Sequence, residues 1–301
     1  MKKWARIIAV ILAVILIVGA VFVLDKAHEQ AMWFVYPGDD RSRAEETPAD
    51  YGLDYQDITL TTQDGVQLAA WYVPTQNGAV IIAQHGYRSN RGAMLDFASL
   101  LADHGYGVLM MDARAHGDSG GELVTFGLKE VQDVRAGLDF LLSRPEIDPT
   151  GIGALGTSQG AVTLMLAAAQ YPEIRAYVGD SPYASLQEEV AMGVQEIAGL
   201  PAFPWAPLIQ FFAEREAGFS AEVVAPINRI NEISPRPVLL LQGGQDNLVP
   251  SDTGERLLQM AGEPKQLWYE EQIGHVDFLE QMPQLYEQYV IGFFDQYLQE
   301  N

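Results

Sequence analysis

The sequence predicts an α/β fold. We expect a mostly parallel, doubly wound sheet with an N-terminal antiparallel hairpin and a small helical lid, preceded by one transmembrane helix. Three observations lead there. Short, unbroken apolar runs alternate with helical stripes from residue 79 to the end. Before them, two strand-like segments flank a turn. Near the N-terminus, Ile7 to Leu24 carries no polar or charged side chain.

That first run has the length of a membrane span. As a helix its residues cover roughly 27 Å, against a hydrocarbon thickness of about 30 Å. Lys2, Lys3 and Arg6 precede it and Asp25 follows it. This asymmetry places the short end in the cytoplasm and the rest of the chain outside. Trp4 and Trp33 are expected at or near the two interfaces. A cleaved signal peptide, with Val18-Gly19-Ala20 as the cleavage site, would instead release a secreted protein. The apolar run continues to Leu24, past that site, and this favours a retained anchor. A buried core helix is disfavoured, because a segment apolar on all sides and without caps is hard to place in a domain of this size.

Residues 1–26 therefore read as the anchor and 27–50 as a polar juxtamembrane connector. The connector holds one helical stretch, Lys26 to Tyr36, and a turn at Pro37-Gly38-Asp39-Asp40. Residues 51–301 form the folded domain. Its composition, 48% apolar for the whole chain, permits a sizeable core. The formal net charge of −22 leaves too little basic surface to neutralise phosphates, so nucleic acid is excluded as a partner. The same charge repels anionic lipid head groups, and its simplest role is solubility. The absence of cysteine removes disulfides, thiolate metal sites and cysteine nucleophiles together.

Within the domain, Asp57 to Thr61 and Val66 to Val73 flank Thr62-Gln63-Asp64-Gly65, a hairpin signal. The runs Ala79–Ala83, Gly107–Met111, Gly151–Leu155, Ala176–Gly179 and Val238–Leu241 suit parallel strands covered on both faces. Gln266 to Tyr269 is expected as the last strand. Between them, Met94–His104, Leu128–Ser143, Gln159–Gln170, Ser251–Ala261 and Met282–Gln299 have helical patterns. Gln159–Gln170 is apolar nearly all round and should be deeply packed. One segment breaks the alternation. Between Ser181 and Pro235 lies an insertion of about fifty residues, too long for a plain loop and expected to be a lid over residues 184–232. It is rich in proline and aromatic residues, from Leu200 to Pro207 and at Phe211, Phe212 and Phe219.

In open parallel sheets, ligands bind beyond the carboxyl ends of the strands. Those ends carry Gln84-His85-Gly86-Tyr87, Asp112-Ala113-Arg114-Ala115-His116-Gly117, Gly156-Thr157-Ser158-Gln159-Gly160, Asp180-Ser181, Gly244-Gln245-Asp246-Asn247 and Gly274-His275. A G-x-S-x-G between strand and helix makes a strained elbow whose flanking glycines avoid collisions and whose serine stands exposed. The same five residues could form an ordinary turn. What favours catalysis is an aspartate after a later strand and a histidine after the last, in the order Ser158, Asp246, His275.

With these motifs in that order, the chain from about residue 51 to 299 resembles the α/β-hydrolases, and among them the serine aminopeptidase and monoacylglycerol-lipase-like group with its bacterial membrane-anchored members. The resemblance implies a serine hydrolase that needs no cofactor. A serine hydroxyl is a weak nucleophile without a neighbouring base. His275 is expected to take its proton, and Asp246 to fix the imidazole tautomer. The backbone N–H of Gln159 is one expected oxyanion donor, and the resemblance points to Tyr87 N–H for the other.

His85 and His116 read as loop-shaping residues, His116 together with Asp112 and Arg114. A metal site built from the two histidines lacks ligand spacing. His28 and His104 read as connector and helix-end residues. Asp180 is the alternative acid. Cleavage of a carboxylic ester is the first expectation, with a small-molecule ester or short peptide as substrate. Amide hydrolysis by a peptidase is the second, and a non-catalytic binding module at the membrane surface the third. A dehalogenase is disfavoured, since its nucleophile is a carboxylate.

Overall fold

The computed structural model describes residues 2–38, 41–196 and 198–299. Asp39 and Asp40 of the expected connector turn lie outside them, as do Met1 and Asn301. Eight strands form one sheet: β1 (Gln56–Thr61), β2 (Gln67–Val73), β3 (Val80–Gln84), β4 (Gly107–Met111), β5 (Ile152–Thr157), β6 (Ala176–Asp180), β7 (Val238–Gly243) and β8 (Lys265–Glu270). Their spatial order is β1-β2-β4-β3-β5-β6-β7-β8. The β1–β2 hairpin is antiparallel, β2 pairs antiparallel with β4, and every later pairing is parallel. The chain reverses direction across the sheet at β3, which lies between β4 and β5, and strand ends on either side of such a switch point border one crevice.

The parallel strands are buried on both faces because their side chains alternate between two cores. Val80, Ile82, Leu109, Met111, Ile152, Ala154 and Leu240 belong to one core. Ile81, Ala83, Val108, Met110, Leu155, Val178 and Leu239 belong to the other. The helices that close the first face include α3 (Glu130–Leu142) and α4 (Gln159–Gln170). The second face is closed by α2 (Leu95–Asp103) and the C-terminal helical segment. That segment, expected as one helix over Met282–Gln299, is interrupted. Pro283 starts a new helical turn after Met282, and a π turn spans Glu287–Ile291.

The lid contains α5 (Leu186–Glu196) and α6 (Ala202–Ala217). The apolar run and the Lys26–Tyr36 stretch form one continuous helix, α1 (Lys2–Val35). Its apolar part is exposed on all sides from Ile7 to Phe22, whereas Ala27, Ala31 and Val35, spaced four residues apart, are fully buried. The helix therefore leaves the apolar span and docks directly on the domain. His28 meets the edge of Phe212 on α6, and Tyr36 Oη donates to Glu216 at 2.8 Å. Trp33 is half-exposed on the docked part of this helix, and the Arg88 guanidinium sits 3.7 Å from its ring centroid.

Candidate active site

Thr157 ends β5 and Gln159 begins α4, leaving Ser158 alone to turn the chain. It does so with φ 51° and ψ −123°, a conformation that L-residues rarely adopt and that costs on the order of 1–3 kcal/mol. Neither flanking glycine could carry a side chain. A Cβ on Gly156 would fall 2.6 Å from the backbone of Gly160, and one on Gly160 would fall 2.3 Å from the carbonyl oxygen of Gln84. The elbow thus packs directly against the end of β3. Gly86 extends this contact, since a Cβ there would stand 3.3 Å from Ser158 Cβ.

This contact brings the loop after β3 beside the serine. Among the described residues, neither Tyr87 N–H nor Gln159 N–H has an acceptor. Backbone donors next to a reactive oxygen and free of partners are available to a developing negative charge. The Tyr87 side chain is tied away from them, its hydroxyl donating to Phe34 O of α1 at 2.6 Å.

Asp246 follows β7 and His275 follows β8, and the structure brings the two together. His275 Nδ1–H donates to Asp246 Oδ2 at 2.7 Å, while Oδ1 accepts from Leu248 N–H and Val249 N–H, both at 2.9 Å. With one oxygen held by the backbone and the other by the ring, the carboxylate fixes the tautomer that leaves Nε2 bare. Burial of the ring draws its pKa down, but the bond to Asp246 and the surrounding carboxylates outweigh this, and the net shift is upward from the ordinary imidazole value.

The turn after β6 joins the two halves of the site. Ser158 N–H donates to Asp180 O at 2.8 Å, and Val276 N–H donates to the Ser181 hydroxyl at 3.1 Å. Serine and histidine are thereby fastened to consecutive residues of one turn. Among the described residues Ser158 Oγ makes no hydrogen bond, so the link from hydroxyl to imidazole is not closed. Such bonds are commonly long without substrate and tighten in the reacting complex. Asp180, the alternative acid, does not bond the ring. Its Oδ1 accepts from Ser181 Oγ, and its Oδ2 is buried without a partner among the described residues. Burial pushes its carboxyl up to about 7.

The remaining motif residues brace loops. His85 Nδ1–H donates to Gly86 O at 2.7 Å and its Nε2 accepts from Ala113 N–H at 3.1 Å, so both ring nitrogens are occupied. His116 bonds Arg114 O through Nδ1. Burial pushes both histidines down to about 4, so they are neutral. Asp112 accepts from Arg91 and from Asp118 N–H, and Arg114 grips Asp133 and Asp64. A cavity of about 90 Å³ lies among Arg41, Arg88 and His116 and is lined by none of the reacting groups.

One functional candidate escaped sequence reasoning. Glu189 of α5 has a buried Oε2 with no partner among the described residues, and burial pushes its carboxyl up to about 7. Its charge couples to His275 and Asp246. No local pattern distinguishes it from Glu188, which pairs with Arg256 at 2.8 Å.

Comparison with known proteins agrees with this architecture. Residues 75–216 match the family model Hydrolase_4, described as serine aminopeptidase, S33. The esterase Pf2001 of Pyrococcus furiosus superposes with a TM-score of 0.74 at 30% identity, over 87% of this chain and all of that one. The uncharacterized protein YqkD of Bacillus subtilis is 30% identical over 77% of this chain and 76% of its own length. The α/β-hydrolase domain-containing protein WAV2 of Arabidopsis thaliana is 27% identical over 78% of this chain and 76% of its own. The chain belongs to the α/β-hydrolase superfamily. It is a serine hydrolase, esterase-like in its structural kinship, and the binding-module expectation gives way to an enzyme.

Proposed function

We propose that this protein cleaves a carboxylic ester through an acyl-enzyme on Ser158, from a position anchored in the membrane by α1. The observation that carries the reading is the Asp246–His275 pair at 2.7 Å, tied through Val276 to the same Asp180–Ser181 turn that holds the strained Ser158 elbow. His275 Nε2 takes the Ser158 proton as Oγ adds to the ester carbonyl. The oxyanion settles between the N–H groups of Tyr87 and Gln159. The tetrahedral intermediate collapses, and the imidazolium returns its proton to the departing alcohol. Water, deprotonated by the same ring, then releases the acid. Loss of one oxyanion donor in such a site costs about 2.7–4 kcal/mol of transition-state stabilisation.

The anchor reading rests on a helix whose apolar window has a mean hydropathy of 3.5 and no protein covering it. Basic residues before the span place the domain outside the cytoplasm. In this reading 1–26 is the anchor, 27–50 the connector and 51–301 the catalytic domain. Amide hydrolysis is the second reading, and the aminopeptidase description of the matched family favours it. A panel of p-nitrophenyl esters of increasing acyl length, set beside aminoacyl-p-nitroanilides, separates the two. We expect ester turnover to exceed anilide turnover and Ser158→Ala to abolish it. Turnover confined to anilides would reverse the assignment.

A further inference from the structure

The packing of α1 on α6 fixes how the lid meets the bilayer. Two contacts set the relative direction of the helices. His28 pairs with Phe212, and further along both chains Tyr36 pairs with Glu216. Residue numbers rise together, so the helices run parallel, and the N-terminal half of α6 points back toward the apolar span. From Phe212 to Pro204 is about 12 Å of helix, and from His28 back to Leu24 about 6 Å. Even at a crossing angle of roughly 50°, the projection of the longer stretch onto α1 is about 8 Å. The start of α6 therefore reaches the depth at which the apolar run ends. Consistent with this, Val23, inside that run and four residues before Ala27, is already half-buried, whereas its neighbours Phe22 and Leu24 are exposed.

The composition of this edge matches its position. In a chain of net charge −22, no residue from Ala198 to Ala213 is ionisable. Its exposed members include Leu200, Phe203 at 80% and Phe211 at 54%. Large apolar side chains exposed together on an acidic protein mark a contact surface. Here the surface is continuous with a membrane span, and the absence of charge removes the repulsion that the other faces would meet.

We propose that residues 198–208 rest in the interfacial layer of the same bilayer that α1 crosses. The lid then borders lipid rather than bulk water, and the site draws its ester from the membrane, favouring long-acyl, membrane-partitioned substrates over soluble ones. This inference rests on the reading of α1 as a membrane anchor.

The chain has no cysteine, so single probes can be placed without background. The full-length protein in phosphatidylcholine nanodiscs would carry bimane at Val14→Cys in the span, Phe203→Cys on the lid, or Met260→Cys on an exposed site elsewhere. Lipids with a nitroxide at the top of the acyl chain supply the quencher. We expect quenching at positions 14 and 203 and none at 260. Quenching at 14 without quenching at 203 would overturn the inference and leave the anchor standing. No quenching at 14 would overturn both. In a second measurement, replacing Leu200 and Phe203 with serine should lower turnover of a bilayer-embedded ester by roughly tenfold or more relative to a soluble short-chain ester. An unchanged ratio would count against delivery from the membrane.

Discussion

The carboxyl edge of the sheet and the roof above it are built by different rules. At the sheet edge, each group of the site comes from a short motif that follows its own strand: Ser158 after β5, Asp246 after β7, His275 after β8. The roof has no such motifs. It is assembled from segments far apart in the chain. Phe34 of α1 stacks on Phe126 at 4.5 Å between ring centroids and accepts the Tyr87 hydroxyl, while His28 and Tyr36 hold α6. Chemistry here is locally encoded, while access to it depends on tertiary contacts.

Perturbing each region sharpens the contrast. The largest effect is expected at the sheet edge. Asp246→Asn removes the charge that fixes the His275 tautomer and should lower kcat by about 10⁴-fold. The general base must be neutral, so activity rises with pH through the His275 pKa. That pKa is raised in the wild type, chiefly by the Asp246 bond acting against burial. The wild-type acid limb should therefore lie above the ordinary imidazole value, and the residual activity of Asp246→Asn should show its limb at lower pH. A pH–kcat/KM profile of both proteins checks this.

A smaller effect is expected in the roof. The Glu189 carboxyl is pushed up to about 7 by burial, so between about pH 4.5 and 7 the folded state holds a proton that the unfolded state has released. Its contribution to stability falls as pH rises through that window. Glu189→Gln removes the dependence and should stabilise the fold on the order of 1–2 kcal/mol at pH 8 relative to wild type, with little difference at pH 4. Melting temperatures at the two pH values report it. The same variant should lower the acid limb slightly, since Glu189 contributes to raising His275. A stability gain independent of pH would remove Glu189 from the electrostatics of the site.

The two regions also differ in how much of them the sequence discloses. The strands and most helices were legible because apolar periodicity follows from which faces are buried, and here both sheet faces are covered. The strand-end positions of Ser158, Asp246 and His275, and the pairing of the last two, were legible because their spacing relative to strands is itself the signal. The docking of α1 was not. Ala27, Ala31 and Val35 make a stripe only when a partner is known, and small residues in a helix suit many environments. Glu188 and Glu189 are adjacent and identical in type, yet one pairs at the surface and the other turns inward. The difference is set by the rotation of α5 against the domain, which no local pattern records. The break at Pro283 was visible as a proline, whereas the π turn after it depends on packing.

The central claim is that the Ser158 hydroxyl is a nucleophile activated by His275. A fluorophosphonate probe applied to the folded, full-length protein, followed by mass mapping of the adduct, tests this directly. The account predicts a single phosphonyl adduct on Ser158, absent in Ser158→Ala and strongly slowed in His275→Ala. A folded wild-type protein that stays unlabelled, or that carries its adduct on another residue, would contradict it.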